Sequence, residues 1–346
     1  MSELPKVGLV LSGGGAKGAY QVGVLRALQE MGTQVDMVSG ASIGALNGGV
    51  LAGAPTFSEG VERVEKLWST LAQASPLKVS PMVYVKLMLA AGSVLVPEAR
   101  LLMLAVGAGE SSLLSEQPLT ELMNEYLDTD ELAKGLPLYV SVYKSLGALK
   151  DIGRCFLAAA GLKDTPDSVF LHLQSLPEGE QRNTLMASSA LPMLFKARKV
   201  AGNKYTDGGQ GGWSKAQGNT PIQPLIDAGC KLIIVTHLND GSLWSRHDFP
   251  DVTILEIRPQ STMARDSGLL GGAKDLLGFD VNKIPSWIEQ GYRDTLHCMG
   301  RVKDAVGSRG ELKASMQILS ESELRGEQTD IALEDVMSRI REGKLS

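Results

Sequence analysis

Short, continuous apolar runs alternate along this chain with segments whose apolar positions recur every three or four residues. Val7–Leu11 is a run of the first kind and reads as a strand buried on both faces. A short run at 35–38, followed by 136–143, 168–173, Leu232–Thr236 and 252–257, reads as further strands. Helical spacing appears in Val22, Leu25, Leu28 and Met31, with Gly32 as the stop. It appears again over 57–72, 119–127, 182–190 and 285–306. A small hairpin is expected from 199–200 and 204–206 across Gly202-Asn203, and a helix after Asn219-Thr220-Pro221. The opening order of strand, glycine loop, helix, strand, sharp turn and helix predicts an α/β fold whose parallel sheet is covered on both faces.

Two regions resist assignment. The most apolar stretch, 82–106, is interrupted by Lys86, Gly92, Pro97, Glu98 and Arg100, which argues against a bilayer span. A pair of core helices is one reading of it, and an apolar lid or interfacial element another. Beyond Gly310 the chain is charged and amphipathic: a terminal helix pair, a partner surface or a partly disordered tail. With no internal repeat or low-complexity linker, one domain over 1–310 is expected, with a lid or insertion at 75–110 and an extension at 311–346.

Composition narrows the classes. Of the 346 residues 43% are hydrophobic and 21% charged, the balance of a globular protein with a sizeable core. A net charge of −5 argues against a nucleic-acid partner and against membrane attachment by charge alone. Cys155, Cys230 and Cys298 are odd in number and widely spaced, which suits free thiols in a reducing compartment better than a disulfide or zinc framework. The first apolar run is too short for a signal peptide, so a cytoplasmic protein is expected.

Three stretches carry chemistry. Gly40-Ala41-Ser42-Ile43-Gly44 spells G-x-S-x-G between an apolar strand and a helix of small residues, the setting that exposes a nucleophilic serine on a strained turn. Gly13-Gly14-Gly15-Ala16-Lys17-Gly18 fits G-x-G-x-x-G. A dinucleotide site would want an acidic residue at the end of the second strand, where Ser39-Gly40-Ala41-Ser42 stands instead; Asp36 lies at that strand's start. A phosphate loop would want serine or threonine after Lys17, and Gly18 follows. An oxyanion hole fits better, because loops after adjacent parallel strands open on one edge and glycine amides can approach an acyl oxygen closely. A mere tight turn is the remaining reading. The serine needs a proton acceptor. Asp207, followed by Gly208 and Gly209, is the acid best placed, with His237 at the end of Leu232–Thr236 as the rival base of a Ser-His-Asp triad.

Taken together, Ser12-Gly13-Gly14-Gly15-Ala16-Lys17-Gly18, Gly40-Ala41-Ser42-Ile43-Gly44 and Asp207-Gly208-Gly209, in that order, resemble the patatin-like phospholipase family. Ala187-Ser188-Ser189-Ala190-Leu191-Pro192 and Asn219-Thr220-Pro221 are similar to segments flanking the family's aspartate, and the resemblance runs over about 6–300. It implies a three-layer α/β/α fold with a mostly parallel sheet and a Ser-Asp dyad: Ser42 the nucleophile, Asp207 the base, and the amides of Gly13, Gly14 and Gly15 the oxyanion hole. Lys17, Gly18, Gly40, Gly44, Gly208 and Gly209 would support them. Lys17 stands where arginine is frequent in the family, and Thr220 interrupts the Asn-Pro. The resemblance further implies phospholipid as substrate, transient contact with the inner face of the membrane, no cofactor or metal, and activation by a cyclic nucleotide, with a homo-oligomer left open. A nucleotide-responsive or partner-binding module on the same fold is the alternative.

Overall fold

In the computed structural model, which describes residues 5–74, 116–191, 194–239, 243–263 and 278–342, the first apolar run forms β1 (Val7–Leu11). A 3₁₀ turn over Gly15–Gly18 leads into α1 (Ala19–Glu30). Then follow β2 (Met37–Ala41), α2 (Ile43–Ala52) and α3 (Phe57–Ala74). The expected lid at 75–110 lies outside the described residues. Next come α4 (Gln117–Tyr126), the single turn α5 (Thr129–Leu132), β3 (Leu138–Lys144), α6 (Ala148–Ala159), β4 (Val169–His172) and α7 (Glu178–Ser188). The hairpin β5 (Arg198–Val200) and β6 (Asn203–Asp207) is as expected. It is followed by α8 (Gln223–Asp227), β7 (Leu232–Thr236), β8 (Thr253–Ile257) and α9 (Lys283–Arg341).

The strands form one eight-stranded sheet in the order β5-β6-β3-β2-β1-β7-β8, with β4 also on β3. From β3 to β8 every pairing is parallel, while β4, β5 and β6 are antiparallel. Alternation along β1 explains the layers. Val10 joins Ile222, Leu225, Ile233 and Val235 in a cluster on one face, where Ser39, its partner in β2, donates to the carbonyl of Pro221 at 2.5 Å. Leu11, Val38 and Leu138 crowd Gly48 of α2 on the other. The arrangement is α/β/α with a mostly parallel sheet, as the sequence suggests.

Met1–Thr295 forms one compact unit and Leu296–Ser346 a second. Ile284, Trp287, Gly291 and Thr295 are the buried residues of α9. Within the second unit residues 296–341 are helical, and those from 301 to 342 are exposed. No helix among the described residues is long and apolar enough to cross a membrane.

Candidate active site

Between β2 and α2 a single residue, Ser42, makes the turn at φ 53° and ψ −125°. A residue with a side chain held there stores roughly 1–3 kcal/mol of backbone strain. The flanking glycines have steric causes: a Cβ on Gly40 would lie 2.5 Å from the Gly44 carbonyl oxygen, and one on Gly44 only 2.0 Å from that of Leu11. The strained residue is pinned from below. Its N–H donates to Ser188 Oγ at 2.9 Å, and Ser188 donates onward to the Ser141 carbonyl at 2.7 Å.

Asp207 is brought to Ser42 by register. Ala41 of β2 pairs with Ser141 of β3, and the next residue of β3, Val142, pairs with Asp207 of β6. Ser42 follows Ala41, so the hydroxyl and the carboxyl stand on one row of the sheet, two strand spacings of about 4.8 Å apart at the backbone. The carboxyl is 3% exposed; Oδ1 accepts the Gly209 N–H at 2.8 Å. Burial pushes its pKa from 3.8 up to about 6, against the pull of the Ser42 hydroxyl and the Gly209 amide. The hydroxyl approaches without completing a well-formed hydrogen bond, since Oδ2 is buried with no such partner among the described residues. Gly208 lets this turn sit on β3, where a Cβ would lie 2.2 Å from the Ser141 carbonyl oxygen. Cys155 is near enough to feel the Asp207 charge, but burial, then Asp151 and Asp207, push its thiol up to about 12, so it stays protonated.

The glycine loop stands beside Ser42: a Cβ on Gly13 would lie 3.1 Å from Ser42 Cβ. The Gly13 N–H, one of the three expected oxyanion donors, is already given to the Asn219 carbonyl at 3.2 Å. Its place among the donors is therefore corrected to a steric one. The amides of Gly14 and Gly15 have no acceptor among the described residues, and Gly15 takes φ +58°, which glycine adopts without penalty. Gly18 packs on Ile43, where a Cβ would come within 2.5 Å, and Lys17 Nζ reaches Asn239 Oδ1 at 3.3 Å. Asp36 takes the Val7 N–H at 2.7 Å, at the edge of the sheet opposite Ser42, which removes the dinucleotide reading.

His237 is not part of this group. Its Nε2 meets Glu256 Oε2 at 3.1 Å, and its ring lies 5.3 Å from that of Trp244. A carboxylate only accepts, so Nε2 carries the proton. Burial lowers the His237 pKa and keeps the ring neutral despite the Glu256 hydrogen bond. Burial alone would raise Glu256, but hydrogen bonds from His237 and then Arg258 hold it down at about 2.

Two residues matter here that motif reading leaves without a role. Ser188 supports the turn. Asn219 holds the glycine loop, accepting the Gly13 N–H on its backbone carbonyl and donating Nδ2 to Gly13 O at 3.3 Å, and it packs on the other loop, where a Cβ on Gly209 would lie 2.9 Å from its Oδ1. Both lie in the segments quoted for the resemblance, yet no spacing rule reveals what they hold. No group of three His, Cys, Asp or Glu side chains among the described residues could hold a metal ion.

Comparison of the sequence with known proteins finds a family. Patatin-like phospholipase domain-containing protein ZK370.4 of Caenorhabditis elegans is 63% identical over 49 residues, 14% of this chain and 4% of that protein. Lysophospholipase nte1 of Aspergillus terreus is 59% identical over 46 residues, 13% of this chain and 3% of that one. The chain thus matches only a small part of these much longer relatives. Among solved structures, human GIVD cytosolic phospholipase A2 is 15% identical with a TM-score of 0.40, over 88% of this chain and 59% of that one. The profile of patatin-like phospholipases spans residues 9–226, more than half of the sequence, from the first strand through Ser42 and Asp207 to α8, and the chain belongs to that family.

Proposed function

We propose that the chain is a lipid acyl hydrolase of the phospholipase A type, cleaving fatty acyl esters of membrane glycerophospholipids through an acyl-serine on Ser42. The observation that supports this most is a strained serine facing a buried carboxyl whose pKa lies at about 6, close to the operating range of a general base. Asp207 takes the hydroxyl proton as Ser42 Oγ attacks the ester carbonyl. The negative charge moves to the carbonyl oxygen, where the amides of Gly14 and Gly15 and the N-terminus of α2 receive it. One such amide is typically worth ~3–4 kcal/mol in the transition state.

The intermediate collapses by breaking the bond to the lysolipid oxygen, which takes the proton back from Asp207. Water then gives a proton to Asp207 and attacks the acyl-serine, and Ser42 leaves reprotonated. One ester and one water become one fatty acid and one alcohol, so the balance closes without a redox partner.

On this reading the enzyme works from the cytoplasm at the inner face of the membrane. Activation by a cyclic nucleotide and assembly into a homo-oligomer belong to the same proposal. The test is mass spectrometry of products from mixed phospholipid vesicles, with and without candidate cyclic nucleotides, alongside measurement of mass in solution. Wild type should release fatty acid and lysophospholipid, and Ser42→Ala and Asp207→Asn should release neither. Product formation by Ser42→Ala would end the proposal.

A further inference from the structure

Beneath the glycine loop runs a chain of three buried polar side chains that the chemistry above does not use. Trp68 Nε1 on α3 donates to Asn47 Oδ1 on α2 at 2.8 Å. Asn47 Nδ2 donates to the Gly18 carbonyl at 3.2 Å and to Gln21 Oε1 on α1 at 2.9 Å. Gln21 Nε2 donates to the Ser12 carbonyl at 2.7 Å. All three side chains are fully buried, at 0% exposure.

The direction of the relay is fixed by chemistry. An indole N–H can only donate, so it must meet the carbonyl oxygen of Asn47. The amide nitrogen of Asn47 then faces the loop and Gln21, which must accept on its oxygen and therefore donates to Ser12. Ser12 and Gly18 are the residues that bracket Gly13–Lys17. Asn47 stands on the helix that begins at the residue after Ser42. The helix that carries the nucleophile at its start thus holds one shoulder of the glycine loop directly, at Gly18, and the other, at Ser12, through Gln21 of α1. Apolar side chains of similar volume would fill the same space without orienting anything, and burying amides is costly unless every group is paired.

We propose that Gln21 and Asn47 are positioning residues for acyl transfer, setting the register of the glycine-loop amides against Ser42. This rests on the acyl-hydrolase reading. An oxyanion site must be held to within about 0.5 Å, and a displacement of about 1 Å can cost on the order of a hundredfold in rate.

The test compares the full chain with Gln21→Met and Asn47→Leu, near-isosteric changes that remove the hydrogen bonds. The concentration of competent sites is titrated with a fluorophosphonate. Then kcat and KM are measured on a p-nitrophenyl ester, together with the inhibition constant of a trifluoromethyl ketone that forms a tetrahedral oxyanion adduct. In both variants kcat per titrated site should fall roughly tenfold to a hundredfold. KM should stay within about twofold of wild type, and affinity for the ketone should fall in parallel with kcat. Melting temperature lowered with kcat per titrated site and ketone affinity unchanged would mean an ordinary core network and would overturn the inference.

If either variant fails to fold, Trp68→Phe carries the test, since it removes only the donor that orients Asn47. A severalfold fall in kcat with KM held supports the relay, and an unchanged kcat overturns it. Failure of the underlying reading looks different: a wild-type protein that neither labels at Ser42 nor hydrolyses the ester sinks both before any variant is compared.

Discussion

Ser188 Oγ accepts the backbone N–H of Ser42 at 2.9 Å, so the strained turn is held by a side chain from α7 and not by its own strand or helix. Truncation at Ser188 leaves that N–H buried without an acceptor, a cost of about 1–3 kcal/mol. The Ser141 carbonyl loses its hydroxyl donor at the same time. Ser188→Ala should therefore lower the rate of fluorophosphonate labelling at Ser42 by about tenfold or more, on the scale of about 1.4 kcal/mol per decade. Labelling as fast as wild type would show that the turn holds itself.

The carboxyl of Asp207 gives the activity an acid limb. It must be ionised to take the hydroxyl proton, and burial places its pKa at about 6 in place of 3.8. On a soluble ester, kcat/KM should be lost as pH falls through about 6, with a slope of one, and should level off above neutrality. A limb centred near 4 would mean that the carboxyl is solvated in the working enzyme.

The same displacement predicts a stability trade. Between pH 3.8 and about 6 the folded chain holds a proton on Asp207 more tightly than the unfolded chain does. Stability from this group is therefore present at low pH and falls as pH rises through that window. Asp207→Asn avoids ionising a buried group. At pH 8 it should be inactive yet melt several degrees higher, for a gain on the order of 3 kcal/mol. Thermal melts at pH 8 and at pH 4 check this, because the gain should vanish at the lower pH.

Strands β1 and β7 were legible because burial on both faces of a parallel sheet leaves continuous apolar runs that few other structures produce. Helix α6 was not. Leu149, Ile152, Cys155, Phe156 and Ala159 do recur at helical spacing, but Gly153 at its middle is a poor helix former and the stripe lasts only 12 residues. Ser42 and the two glycine clusters could be found because close backbone approach excludes side chains at fixed spacing. Asn47, Gln21 and Trp68 leave no local trace, since their partners lie on three different helices and meet only after the sheet has formed. Gly13 shows a subtler limit: sequence reveals that a glycine is needed there, but only coordinates show that its N–H is already given to Asn219.

Gly13 supplies a prediction that separates room from hydrogen bonding. A methyl group there would come within 2.5 Å of Asn219 Oδ1 and 3.1 Å of Ser42 Cβ. Gly13→Ala should leave the far-ultraviolet circular dichroism of the protein intact while cutting kcat about a hundredfold, the scale of a displacement near 1 Å at the reacting atoms. Retained kcat would mean that the loop yields without disturbing Ser42.

His237 decides between a dyad and a triad. It sits 2% exposed at the end of β7, its Nε2 committed to Glu256, whose carboxyl also takes the Arg258 guanidinium with Nε at 2.8 Å. A histidine so held is neutral and turned toward an acceptor that needs its proton, the wrong protonation and the wrong partner for drawing a proton from Ser42. Removing it uncovers Glu256 and opens space beside Trp244, so His237→Ala should lower the melting temperature. Its kcat per titrated site should stay within about threefold of wild type. Asp207→Ala should lose the contribution of a general base, about 10²–10⁴-fold. Equal losses in the two variants would return the base to histidine and remove Asp207 from the chemistry.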